Sequence, residues 1–319
     1  MTGAIAVATS ESEHEIAENG AFVRQGNRFA AAFGNGDGEL PVEAGRYRLL
    51  WARICPWAHR QIIVFRLLGL DAAISVGTAN PVRTPQGWEF SLDPGGVDPV
   101  LGIRFLSEAY IRADPGYTGR VTVPAVVDLA TGKVVNNDYF RLSTYWETVW
   151  APFHKAGAPD LYPEGLRDDI DALNDVLFHE VNNAVYKAGF AQSQAEYERA
   201  YDLLFNRLDM LERRLSGQRY LFGNRLTDAD VRLWVTLVRF DIAYYTVFKA
   251  NRNCLAGFPN LWNYAKDLYQ TPGFGDTTDF DAIKRGYHLG SHGNNPYGIL
   301  AAGPDLSAWY EGHDRERFA

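Results

Sequence analysis

Residues 46–69, RYRLLWARICPWAHRQIIVFRLLG, decide how this chain reads. Bulky residues dominate positions 46–54, and their alternation predicts a strand. Pro56 follows Cys55 directly, where proline suits the first turn of a helix. Ile62, Ile63, Phe65, Leu67 and Leu68 then form the apolar face of that helix, and Gly69 closes it. Cys55 therefore stands at a strand-to-helix junction, where helix N–H groups and the dipole favour a thiolate. A buried apolar cysteine is the bland alternative. The strand–Cys–Pro–helix order argues for function.

Outward from this point, residues 72–76 read as a second strand. Residues 77–119 are rich in Gly, Pro and Asp and show no clear period, so they read as a long insertion. Residues 121–128 form a third strand with Pro124 near its start, and 133–136 its hairpin partner across Ala130-Thr131-Gly132. Residues 138–150 have helical spacing. The order β-α-β, insertion, β-β-α is that of an α/β thioredoxin-like domain over 45–155. In such folds a cis proline lies beside the active cysteine and turns the preceding backbone, here Val123, toward a bound thiol. Position 58 is Ala rather than a second cysteine. A monothiol site needs an external thiol to resolve its mixed disulfide.

Residues 1–44 read as an N-terminal arm rich in Gly, Ala and acidic side chains. Its run Gly34-Asn35-Gly36-Asp37-Gly38 lacks a preceding strand and a following Gly-Lys-Ser/Thr, so it reads as a flexible connector and not a phosphate loop. From 160 to 285 the pattern is helical throughout, an all-α second domain in which Thr227 caps a helix with Asp230 at its third position. Residues 286–319 read as coil and a polar tail.

The 319 residues are 46% hydrophobic and 22% charged, ordinary for a soluble chain of two domains. A formal charge of −8 argues against nucleic acid as a partner. No apolar run is long enough for a membrane span, and Glu11, Glu13, Glu15 and Glu18 argue against a secretory signal. The two cysteines, Cys55 and Cys254, do not make a disulfide framework. A cytoplasmic location is the default expectation. The aromatic content of 13% points to an aromatic-lined site.

Three other candidates carry less. His288 and His292 have helical spacing for zinc, but Gly290 intervenes and no third ligand has telling spacing, so no metal is expected. His59, one turn beyond Cys55, either steadies a thiolate or packs the helix. Cys254, in a turn-like segment, reads as a non-catalytic thiol.

Cys55-Pro56-Trp57-Ala58-His59-Arg60, followed by Val121-Thr122-Val123-Pro124, closely resembles the glutathionyl-hydroquinone reductases, the xi class of glutathione transferases. The likeness extends through Phe22-Val23-Arg24, Gly87-Trp88, Asp114-Pro115 and Tyr117. It continues in residues 181–187, Gly189-Phe190-Ala191, residues 225–233, Val238-Arg239-Phe240-Asp241, Tyr287, Ser291-His292 and Asn295-Pro296. The resemblance implies a thioredoxin-like domain holding glutathione and a helical domain covering an aromatic pocket. By motif, Cys55 is the nucleophile that attacks the sulfur of a glutathionyl-hydroquinone, and a second glutathione reduces the resulting disulfide. Val123 and Pro124 hold the thiol, Trp88 flanks it, and Tyr186 and Tyr287 are substrate-pocket and catalytic tyrosines, with Tyr244 a further pocket candidate. The family also implies a homodimer.

One departure stands out. Where the family carries Glu-Ser for the γ-glutamyl end of glutathione, this chain has Asp138 and Tyr139. The shorter carboxylate and bulkier ring predict weaker glutathione binding, or another low-molecular-weight thiol as cosubstrate. Two functions compete with reduction of an aromatic quinol conjugate. One is a transferase or dehalogenase, against which the cysteine at position 55 argues; the other is a non-catalytic thiol-binding protein.

Overall fold

A computed structural model describes residues 15–290 and 295–318. Met1 to Ser10, Glu11, Glu13, Ser291 and His292 lie outside the described residues, and with them the His288–His292 pair.

Strand β1 (Tyr47–Ala52) is buried along its whole length, as the central position of a sheet demands. Its neighbours are β2 (Ser75–Ala79), parallel, and β3 (Ala125–Asp128), antiparallel; β4 (Lys133–Asn136) pairs with β3. The sheet order is β2-β1-β3-β4. Helix α1 (Pro56–Leu68) begins with Pro56 and ends at Gly69, whose φ of 79° is left-handed and costs glycine little.

Three local readings shift. The second strand lies three residues later than expected, because Leu70 and Ala72 bound a 3-10 turn that docks Leu70 in the core. The insertion holds a helix, α2 (Leu106–Ala113), with Glu108 reaching back to the N–H groups of Arg104 and Phe105. Eight residues among glycines and prolines carry too short a period to stand out. Helix α3 is only Leu142–Glu147.

The described part of the arm packs rather than wanders. Phe33 is buried among Tyr47, Trp146 and Trp150. Ala31 N–H donates to Val135 O, and Phe29 N–H to Asn137 Oδ1, so the arm covers the β4 edge. The Gly34–Gly38 run is not a flexible connector here. It forms a turn closed by Gly34 N–H to Leu40 O at 3.0 Å and Gly36 N–H to Glu39 Oε2 at 2.7 Å.

The second half is helical: α4 (Arg167–Leu177), α5 (Ala184–Phe190), α6 (Gln194–Leu215), α7 (Asp228–Leu237), the single turn α8 (Tyr245–Val247), α9 (Pro259–Gln270) and α10 (Phe280–Leu289). Thr227 and Asp230 form the capping box of α7. Two π-helical turns, Phe178–Asn182 and Phe240–Tyr244, precede α5 and α8. Such wide turns rotate the following side chains away from α-helical register. Tyr186 on α5 and Tyr244, which ends the second turn, lie side by side with ring centres 5.9 Å apart. Among the described residues, no helix is long and apolar enough to cross a membrane.

Candidate active site

Cys55 is the N-cap of α1, with an extended backbone at φ −75° and ψ 118°. Its thiol donates to Val123 O at 3.3 Å, across 68 positions, and the Val123–Pro124 peptide is cis. Sheet pairing explains the meeting. The ends of adjacent strands β1 and β3 bring the strand-to-helix loop and the proline turn together. Burial pushes the Cys55 thiol above its ordinary range. The N–H groups of Ala58 and Trp57 and the charges of Arg239 and Arg24 pull the other way, without prevailing. The helix terminus alone would favour the thiolate; desolvation outweighs it.

His59 does not support the thiol. Its ring is buried, with Nδ1 accepting from the Arg239 guanidinium at 3.2 Å and Nε2 donating to Thr277 Oγ1 at 2.9 Å. Burial and the Arg239 charge hold it well below the ordinary histidine range, so it stays neutral. It packs α1 onto the helical half.

A cleft beside Cys55 is lined by Trp57, Trp88, Val123, Tyr139, Tyr186 and Tyr287, together with Arg24, Arg83 and Arg120. Tyr186 and Tyr287, 101 positions apart, meet hydroxyl to hydroxyl at 2.6 Å. The Tyr244 hydroxyl lies 3.2 Å from that of Tyr287 and 3.5 Å from that of Tyr186, behind the cleft wall. Burial raises all three phenols, which remain protonated donors.

Pro124 and Asp138 do not line the cleft. Asp138 Oδ1 accepts from Phe140 N–H at 3.1 Å and Asn27 Nδ2 at 3.2 Å, bracing the turn into α3. The Tyr139 ring does face the cleft, 5.0 Å from the Trp57 ring, and Arg60 holds its carbonyl. Sequence alone assigns none of the three arginines a site role: each sits in irregular chain without periodicity, and Arg24 enters only within the Phe22-Val23-Arg24 likeness. Arg24 comes from the arm, Arg83 from the insertion, and Arg120 from the approach to β3. On an acidic chain they make this cleft locally cationic, suited to anionic thiols. Among the described residues, no group of three or more His, Cys, Asp or Glu is placed to hold a metal.

A cysteine at a helix N-terminus thus faces the carbonyl that precedes a cis proline, under a helical wall of tyrosines. Residues 194–267 match the glutathione S-transferase C-terminal domain. The chain is 42% identical to the glutathionyl-hydroquinone reductase YqjG of Escherichia coli, over 84% of this chain and 82% of that protein. It belongs to the glutathionyl-hydroquinone reductase family. It is also 38% identical to the glutathionyl-hydroquinone reductase PcpF of Sphingobium chlorophenolicum, over 89% and 90% of the two chains. Among solved structures it is similar to a glutathione transferase of Gordonia bronchialis, at 53% identity, TM-score 0.86 and 87% of both chains. The xi-class transferase of Phanerochaete chrysosporium superposes at TM-score 0.86 and 39% identity, over 91% and 95%. The glutathione-bound structure of YqjG does so at 0.83 and 40%, over 91% and 95%. The reductase fold, a thioredoxin-like domain followed by an all-helical one, is therefore that of the xi-class glutathione transferases.

Proposed function

We propose that this enzyme reduces S-glutathionyl hydroquinones through a mixed disulfide on Cys55, with glutathione as the cosubstrate. The observation that carries the reading is the Cys55 thiol facing Val123 O at 3.3 Å in a cleft walled by Tyr186 and Tyr287. The Cys55 thiolate attacks the glutathionyl sulfur and an S–S bond forms. The aryl C–S bond breaks, and the hydroquinone leaves after taking up a proton. A second glutathione then attacks the mixed disulfide, releasing oxidised glutathione and restoring Cys55. Ala58 provides no internal thiol, so the second glutathione must enter from solution. Val123 and Trp88 hold the thiol, and Tyr186 or Tyr287 supplies the proton.

The division of labour follows the chain: 45–155 binds the thiol, 160–285 covers the quinol, and Arg24 of the arm lines the cleft. A homodimer in the cytoplasm completes the reading. A second thiol deserves testing beside glutathione, because Asp138 braces a turn instead of facing the cleft and Tyr139 projects into it.

Incubation with a glutathionyl hydroquinone and glutathione tests the proposal. One hydroquinone should appear per oxidised glutathione, with none from Cys55→Ser, since an alcohol is a poor nucleophile toward sulfur. Wild-type protein that releases no hydroquinone with any low-molecular-weight thiol would overturn it.

A further inference from the structure

Arg24 is a cation set into an aromatic wall. Its guanidinium carbon lies 4.9 Å from the Tyr186 ring centre, 5.1 Å from that of Trp57 and 5.2 Å from that of Phe22. Nε donates to Asn183 Oδ1 at 2.9 Å, which fixes the plane of the group. Nη2 is buried and has no hydrogen-bond partner among the described residues. A buried guanidinium N–H without an acceptor costs free energy that a neutral side chain would avoid. Arg120 also leaves a buried Nε without a hydrogen-bond partner among the described residues, but the other cleft arginines are placed differently. Arg83 lies over Trp88 and donates to Val121 O, and Arg120 pairs with Glu15. Arg24 alone stands against both Trp57, beside Cys55, and Tyr186, on the tyrosine side.

The chemistry of the leaving group indicates what such a cation is for. An electron pair expelled onto an aromatic ring carbon lies in the ring plane and cannot spread. Protonation of the sulfur-bearing carbon, with loss of a hydroxyl proton from the ring, first converts the ring to a dienone. The Cys55 thiolate then bonds to the glutathionyl sulfur, the C–S pair moves into the ring, and the carbonyl becomes a phenolate. A phenol proton from Tyr186 or Tyr287 restores the hydroxyl. The net step consumes one thiolate and one proton per hydroquinone. Negative charge thus develops on a ring oxygen within the cleft that Arg24 lines together with Cys55, Tyr186 and Tyr287. We infer that Arg24 is a catalytic residue whose guanidinium holds the aromatic oxygen as it becomes a phenolate. This inference rests on the function proposed above.

Single-turnover release of hydroquinone tests it in wild type, Arg24→Lys and Arg24→Gln, using conjugates whose phenols differ in acidity. Arg24→Gln should slow release by roughly 10²–10³, the loss seen when one oxyanion donor is removed. Arg24→Lys should recover part of that loss. In Arg24→Gln the rate should depend more steeply on phenol acidity, because the leaving oxygen must then carry its charge unaided. Reaction of Cys55 with oxidised glutathione expels no phenolate; it should slow only through the lost Arg24 charge on the thiol and the glutathione, by a clearly smaller factor than hydroquinone release. Equal slowing of both reactions, or an unchanged dependence on acidity, would reduce Arg24 to support for Cys55 and overturn the inference. A wild type inert toward every conjugate would overturn the functional reading and this inference with it.

Discussion

Arg239 donates from Nε to the carbonyl of Ile54, the residue before Cys55, at 2.8 Å across 185 positions. The same guanidinium reaches Arg53 O at 3.0 Å and His59 Nδ1 at 3.2 Å. A side chain of the helical half therefore holds the loop that presents the thiol. Arg239→Gln should destabilise the fold by about 3 kcal/mol, since buried bonds from a charged donor contribute roughly 1.5–3 kcal/mol each. Its urea midpoint should fall. Because the Arg239 charge draws the Cys55 thiol downward, the variant's thiol should also titrate at higher pH than wild type. A variant with both properties unchanged would show the contact to be incidental.

Cys55 itself sets a pH dependence. Burial raises its pKa above the ordinary thiol range, so the neutral thiol dominates at pH 7. Alkylation by iodoacetamide needs the thiolate and should climb about tenfold per pH unit, past the point where a free thiol levels off near 8.5. Mass spectrometry should follow this alkylation at Cys55 itself, and should place the mixed disulfide formed with oxidised glutathione on Cys55, which faces the cleft, and not on exposed Cys254. A plateau at or below pH 8 would mean that the helix terminus overrides desolvation after all.

The tyrosine cluster makes a separate claim. Tyr186 and Tyr287 are hydrogen-bonded hydroxyl to hydroxyl at 2.6 Å, and both line the cleft. Tyr186→Phe or Tyr287→Phe should lower kcat roughly ten- to hundredfold while KM changes little, because the proton matters most as charge leaves the substrate. Their phenols are held above the ordinary range, so wild-type activity should not decline at high pH through tyrosine ionisation until beyond the usual phenol range. A variant that raises KM and spares kcat would assign the hydroxyls to binding.

Tyr139 bears on the cosubstrate. Its ring lies tilted against Trp57 and Phe178 in the cleft wall, at the position where the family resemblance implies a serine. Losing one charge-assisted hydrogen bond costs roughly 1.5–3 kcal/mol, about a tenfold to hundredfold weakening. Tyr139→Ser should therefore bind glutathione more tightly than wild type when titrated by calorimetry. Equal affinities would show that the cationic cleft recognises glutathione by other contacts.

Local order was legible in the residues. Cys55-Pro56 announced a helix start, Gly69 its end, Lys133 to Asn136 a hairpin strand, and Thr227 with Asp230 a capped helix. Each is governed by backbone geometry within a turn or two, which nearby side chains dictate. The cis proline beside the thiol and the grouping of Tyr186 with Tyr287 were legible through likeness to a family. What only the tertiary structure decided was longer in range. Arg24, Arg83 and Arg120 converge from three irregular segments, the arm seals the β4 edge, Asp138 turns to brace a helix start, and Arg239 clamps the loop at Ile54. Irregular chain has no period to betray which way a side chain points. The balance at Cys55 was hidden for a related reason: the helix dipole belongs to local sequence, whereas desolvation depends on how completely distant residues close around the sulfur.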